Sequence, residues 1–310
     1  MLEALTGFVV VGFAIFIGWL LGRIDLLGEH AGPVLARLTF FVLSPFLLFV
    51  VLSQADVTRL FSALLPVSAI AALSVMLIYA LVARLVWRRD LGETLVGLLS
   101  AGQVNSNNIG IPLSLYILGS AAFPAPVILM QLLVFTPITM TIFESLFAPG
   151  ATRRGTLGRA LRRTLSNPIV LGSVAGTLVS VTGIDLPAMV IEPAQLLADA
   201  CVPVLLISYG ISLHGRRVLG GKGRRRDILL ATSLKLVAMP IIAWLVAQFV
   251  FNLPATDVFI VVVLAALPTA HNVFNYSQRY GIGEAISRDT VFLTTIGCLP
   301  VLIIVTLLLG

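Results

Sequence analysis

Long stretches of this sequence carry no charge, and a run of about 20 mostly apolar residues has the length to cross a bilayer as one helix. Ten such runs are read, near residues 4–22, 34–53, 62–86, 94–119, 122–147, 167–184, 194–213, 228–251, 257–279 and 285–309. Of the 310 residues, 58% are hydrophobic and only 11% are charged, whereas soluble domains carry about 25% charged residues. That composition excludes a soluble enzyme, a disordered chain and a disulfide scaffold. Cys201 and Cys298 both lie in apolar runs and read as small buried hydrophobes. The first run has no basic segment before it and no small-residue cleavage site after it, so it reads as a span and not as a signal peptide.

The few basic residues say which way the spans run. Alternate connections hold Arg23 and Arg37, then Arg84, Arg88 and Arg89, then five arginines from Arg153 to Arg163. Six basic residues from Arg216 to Arg226 follow, then Arg279 and Arg288. Eighteen of the 20 basic residues therefore fall on one side, with Arg59 alone on the other and Lys235 inside a span. The positive side is cytoplasmic, so both termini are expected outside a bacterial cytoplasmic (inner) membrane. The net charge of +6 is then a topology signal, and no nucleic-acid partner is implied.

The two halves resemble each other weakly but in order, which divides the chain into repeats at 1–150 and 151–310. Ile24-Asp25-Leu26 falls on Ile184-Asp185-Leu186 at an offset of 160, and Pro45, Leu47 and Leu48 fall on Pro203, Leu205 and Leu206 at 158. Asn108, Tyr116 and Gly119 fall on Asn272, Tyr280 and Gly283 at 164. Five spans per half make the second copy enter the membrane in the opposite sense. Inverted repeats of this kind are typical of secondary transporters. The expected fold is an all-α polytopic membrane protein of ten transmembrane helices in two inverted five-helix repeats, with helices 4 and 9 broken.

The fourth span holds Asn105-Ser106-Asn107-Asn108-Ile109-Gly110-Ile111-Pro112, and the ninth holds Pro268-Thr269-Ala270-His271-Asn272-Val273-Phe274-Asn275. Proline removes a backbone donor and disfavours helix in the residue before it. Counting at 1.5 Å per residue from opposite faces puts Asn105 about 18 Å deep and His271 about 21 Å deep. Broken backbone at that depth is tolerated only where it is buried in protein or lines a cavity. The uncovered half-helix N-termini suit an anion, the freed carbonyls suit a cation, and asparagine supplies donors and acceptors without charge. Proline kinks with asparagine bonding between helices is the alternative.

The segment ending Gly110-Ile111-Pro112-Leu113, together with Leu267-Pro268-Thr269-Ala270-His271-Asn272 and Tyr280-Gly281, resembles the auxin efflux carrier family over essentially the whole chain. The resemblance implies a scaffold of spans 1, 2, 6 and 7 and a mobile transport domain of spans 3–5 and 8–10. It also implies elevator-like alternating access, a small organic anion (carboxylate) as substrate, and a homodimer through spans 2 and 7. The family's break asparagines match Asn105 and Asn272, and its crossover prolines match Pro112 and Pro268. Asn107 and His271 depart from the bacterial pattern, so auxin itself is not implied as the substrate.

The expected substrate-binding set is Asn105, Ser106, Asn107, Asn108, Pro112, Gln131, Pro268, Thr269, His271, Asn272 and Asn275. His271, Lys235 and Asp199 are charge or coupling candidates. Lys235 either snorkels to the interface or serves an anion or proton path. Asp199 either stays interfacial or acts as a coupling carboxylate. Proton or sodium coupling both remain open, and no cofactor and no resident metal are expected. Of three histidines, His30, His214 and His271, one is intramembrane. No metal-ligand spacing and no nucleophile–base pair marks an enzyme, and no ring of charges marks a channel. A C-terminal fusion tests the topology: alkaline phosphatase joined after Gly310 is expected to be active in cells and a fluorescent protein there dark, and the reverse pattern would refute it.

Overall fold

The structure is a computed structural model describing residues 2–28, 30–56, 63–147, 158, 162, 165–213 and 224–310. Among the basic residues counted above, Arg59, Arg153, Arg154, Arg159, Arg163, Arg216, Arg217 and Lys222 lie outside the described residues, as does His214. All regular elements described are helices; the one β pairing among the described residues is an isolated antiparallel bridge, Val104 with Thr269. Six helices are long and apolar enough to cross a membrane: α2 (Ala31–Gln54), α3 (Leu64–Val86), α6 (Ala125–Phe143), α8 (Ala188–Leu213), α9 (Arg225–Val250) and α12 (Glu284–Leu309). Shorter apolar helices are α4 (Leu91–Gly102), α7 (Pro168–Thr182) and α10 (Ala255–Ala266), with α1 spanning Leu2–Arg23. Two short helices, α5 (Ile111–Leu118) and α11 (His271–Tyr280), continue the interrupted fourth and ninth spans. Large apolar side chains such as Phe13, Leu77, Phe249 and Leu308 are exposed on the outside of these helices. Apolar surface on this scale suits lipid, not water. The chain is a multi-pass membrane protein.

Prolines shape the long helices in a regular way. Four five-residue π-helical segments, Thr39–Leu43, Ser106–Gly110, Gln131–Phe135 and Leu234–Ala238, are each followed two residues later by a proline. Those prolines are Pro45, Pro112, Pro137 and Pro240. A proline ring collides with the carbonyl four residues earlier, here that of Phe41, Asn108, Leu133 or Leu236. Each of these carbonyls lies inside the π segment, so the wider turn gives it room.

The chain divides into two compact units. One combines residues Ser62–Ser106 and Arg217–Gly310. In it α3 and α4 pack closely because Gly97 lies against the Tyr79 ring and Gly102 against Met76 and the Ala72 carbonyl, where a Cβ would overlap. At the basic loop, Asp90 caps α4 by accepting from the Glu93 amide (2.8 Å). Arg89 clamps the buried Asp227 with two bonds, Nε to Oδ1 at 3.0 Å and Nη2 to Oδ2 at 2.6 Å. The Tyr79 hydroxyl donates to the same carboxylate (3.4 Å), and Arg224 pairs with Glu93. The bond to Asp227 raises the Arg89 guanidinium further above its ordinary range. Asp227 is placed in the first turn of α9, where a negative charge meets the positive end of the helix.

The other unit combines Leu2–Phe61 and Asn107–Arg216. Its helices touch backbone to backbone. Gly18 of α1 lies against the Ile207 carbonyl of α8, and Gly210 of α8 against the Ile15 carbonyl of α1. Gly172 and Gly176 of α7 lie against the Pro45 and Phe49 carbonyls of α2. Small residues permit such approach between membrane helices. Gly176→Leu is expected to cost about 1–3 kcal/mol through overpacking, read as a lowered Tm of the purified protein. Leu77→Ala on the outer surface is expected to change stability by less than about 0.5 kcal/mol.

Candidate functional site

The two segments expected as the fourth and ninth spans each contain a 12-residue helix, α4 in one case and α10 in the other, after which the helix stops. Each first half is therefore about 18 Å long at 1.5 Å per residue. After Gly102 the backbone becomes extended at Gln103, and after Ala266 it becomes extended at Leu267. The two extended pieces then pair. The Asn105 amide donates to the Pro268 carbonyl (2.8 Å), and the Ala270 amide donates to the Gln103 carbonyl (3.0 Å), bracketing the Val104–Thr269 bridge.

Thr269 joins this bridge to two further helices. Its amide donates to Thr294 Oγ1 of α12 (3.1 Å), and its hydroxyl donates to the Ser100 carbonyl in the last turn of α4 (2.7 Å). Gln103, Asn105, Ser106, Thr269 and Thr294 are all buried. Gln103 Nε2, Thr290 Oγ1 and Thr295 Oγ1 are buried polar atoms without a protein partner. Both α4 and α10 thus end at one place, and the partial negative charge of their last carbonyls accumulates there. Beyond the bridge α11 begins at His271 with no side chain capping it.

Of the residues singled out in the sequence, Asn105, Ser106, Pro268, Thr269, His271, Asn272 and Asn275 belong to this one unit. His271 is half-buried with its ring edge-on to Phe274 at 5.9 Å, and Asn272 and Asn275 are exposed on α11. Asn107, Asn108, Pro112 and Gln131 belong to the other unit. There Asn107 Nδ2 donates to Asn108 Oδ1 (3.1 Å), and Gln131 is half-buried at the start of a π segment. Pro112 follows the π segment Ser106–Gly110, whose wider turn makes room for its ring, so the helical run passes through it and the interruption lies upstream at Gln103. Asp199 is exposed on α8 and accepts from Gln195 Nε2 (2.6 Å). Lys235 is fully buried and does not reach the surface.

Sequence reasoning passed over Gln103 and the Ser100 carbonyl. Main-chain acceptors leave no mark in a sequence. A better signal was available in the residue types at the end of α4, since Gly102 followed by a polar Gln103 is a plausible helix stop inside an apolar span.

The profile of a family described as "Membrane transport protein" matches residues 4–155 and 151–306. The chain belongs to that family, the auxin efflux carrier family. It is 27% identical to a protein of Rhizobium meliloti (strain 1021) named "Putative malonate transporter", over 94% of this chain and 92% of that protein. It is 24% identical to an "Uncharacterized transporter" of Methanothermobacter thermautotrophicus, over 91% of this chain and 90% of the relative. The family makes the chain a transporter and not an enzyme. Thr294→Val leaves the Thr269 amide buried without an acceptor and is expected to cost about 1–3 kcal/mol, measured as a fall in Tm with the apolar isostere in place.

Proposed function

We propose that this transporter carries a small carboxylate across the cytoplasmic membrane by alternating access, binding it at the interrupted fourth and ninth spans. The observation that carries the reading is the buried Val104–Thr269 bridge, bracketed by the Asn105–Pro268 and Ala270–Gln103 bonds and followed by a helix N-terminus that no side chain caps. Amide groups at the head of a helix attract anions. Asn272 and Asn275 on the first turns of α11 are exposed and offer carboxamide donors beside those amides. A relative whose name refers to malonate supports a carboxylate over other anions.

A ten-helix inverted repeat underlies the reading. Residues 91–102 and 255–266 bound the first halves of the interrupted spans, equal in length and 164 residues apart. The same 164 separates Asn108 from Asn272. Gly18 meets the Ile207 carbonyl while Gly176 meets that of Phe49, and Phe49 and Ile207 stand 158 apart, the offset that relates Pro45 to Pro203. Equivalent contacts in two halves of opposite orientation give a transporter two related states. In this reading a transport domain of α3–α6 and α9–α12 moves against a scaffold of α1, α2, α7 and α8, in a homodimer. Asn105, Thr269, His271, Asn272 and Asn275 supply the substrate contacts.

Uptake of radiolabelled malonate into proteoliposomes tests the proposal. Saturable uptake is expected from the wild-type protein, reduced at least roughly tenfold in Asn105→Ala and in Asn272→Ala, a loss of about 1.4 kcal/mol or more of substrate interaction in each. Unimpaired uptake by both variants would place the substrate elsewhere. Current that rises without saturation would indicate a channel.

A further inference from the structure

Lys235 is the basic residue set deepest in an expected span, well past its start near residue 228, and it is completely buried. It stands on the π segment Leu234–Ala238 of α9, which Pro240 follows two residues later. Its Nζ donates to the Ala265 carbonyl (2.9 Å) and touches Met239 Sδ (2.9 Å). Neither partner is an anion. Burying an ammonium away from water without a carboxylate is expensive, and apolar replacement of buried ionic groups is often neutral or stabilising. Retaining a lysine here therefore points to function, as intramembrane ionisable groups usually do.

The acceptor explains which function. Ala265 lies in the last turn of α10, and in an unbroken helix its carbonyl would take the amide of Thr269. That amide is instead given to Thr294 Oγ1, so the interruption strands the Ala265 carbonyl. On the facing half-helix another acceptor of the last turn, the Ser100 carbonyl, is met by the Thr269 hydroxyl. Two helix C-termini close on this point, both negative ends. Carbonyls and threonine hydroxyls at converging helix ends are the donor set of an alkali-metal site. The Lys235 amine already occupies one of its carbonyls. Among the described residues no group of histidine, cysteine, aspartate and glutamate side chains is arranged to hold a metal ion.

We propose that Lys235 is a tethered cation that serves the ninth-span interruption in place of a dissociable metal ion, so that the transport cycle runs without sodium. The proposal goes beyond the carboxylate reading and rests only on the chain being a transporter of this fold. Its test has one arm with substrate and one without. In proteoliposomes, malonate uptake by the wild-type protein is expected to be the same within about twofold in sodium and in choline media. In Lys235→Met, whose flexible side chain fills similar space, uptake should drop by roughly tenfold or more while the protein stays folded, a loss of about 1.4 kcal/mol. In the substrate-free arm, the Tm of the detergent-solubilised wild-type protein should not respond to sodium chloride over choline chloride. Lys235→Ala, which opens a space the size of the lost side chain, should gain a Tm increase specific to sodium or ammonium. The proposal is overturned by sodium-stimulated wild-type uptake, by a sodium-specific rise in the wild-type Tm, or by Lys235→Met transporting normally. If no protein takes up malonate, the substrate reading has failed, and the Tm of the wild type in the two salts alone decides the role of Lys235. If Lys235→Ala does not fold, the wild-type and Lys235→Met measurements decide it.

Discussion

A peptide group in the hydrocarbon core must find its hydrogen bond inside the protein, and this requirement governs the arrangement around residues 103–105 and 267–270. Two helices stop in the middle of apolar spans, and each stop releases carbonyls and amides that lipid cannot satisfy. The solution is reciprocal. The extended backbone of each break bonds the other through the Asn105–Pro268 and Ala270–Gln103 pairs, and Thr269 uses both its amide and its hydroxyl on neighbouring helices. Lys235 completes the set by taking the Ala265 carbonyl. Removing any one of these partners strands a buried polar group, so the interruption is held by mutual satisfaction and not by chain stiffness.

The second unit solves a different problem with different means. Its helices have few polar groups to offer one another, so contact comes from glycines that let backbones meet, as at Gly18, Gly172, Gly176 and Gly210. Apolar side chains are left to face outward in both units, because in lipid there is nothing to gain by hiding them. The interior holds large apolar side chains such as Leu48, Leu52, Phe143 and Met239, and polar groups that find partners there: Ser44 beside Cys201, Ser173, Thr294 and the carboxylate of Asp227 clamped by Arg89. At the basic loop the charges also hold elements of the first unit together: Arg89 pairs with Asp227 in the first turn of α9, and Arg224 pairs with Glu93 in the first turn of α4.

Much of this was legible in the residues, for identifiable reasons. Spans follow from hydropathy because bilayer thickness fixes helix length, and the motifs at 105–113 and 267–272 carry the family resemblance. Membership of the family was therefore readable from the sequence. The place where the helix stops was less so. Pro112 looked like the breaker because proline cannot sit inside a regular helix, yet the π segment Ser106–Gly110 accommodates its ring, and the backbone leaves the helix upstream at Gln103, whose carbonyl accepts from the Ala270 amide. Lys235 was recognised as unusual, but its partner is a main-chain carbonyl 30 residues away, and no side-chain pattern encodes that.

The backbone contacts at the glycines also limit how the sequence can drift. Where a carbonyl of one helix rests on the Cα of another, the pairing depends on the absence of a side chain at one position and is nearly indifferent to the identity of the residue presenting the carbonyl. Ile207 and Phe49 contribute their carbonyls to Gly18 and Gly176, and other apolar residues would present the same oxygen. The lipid-facing positions on the same helices are under only a demand for apolarity. A scaffold stitched in this way can exchange most of its side chains and keep its helix spacing, with tolerance concentrated everywhere except at a few glycines. Random mutagenesis read by folding alone would then return a sparse map, intolerant at Gly18, Gly172, Gly176 and Gly210 and permissive along the outer faces between them.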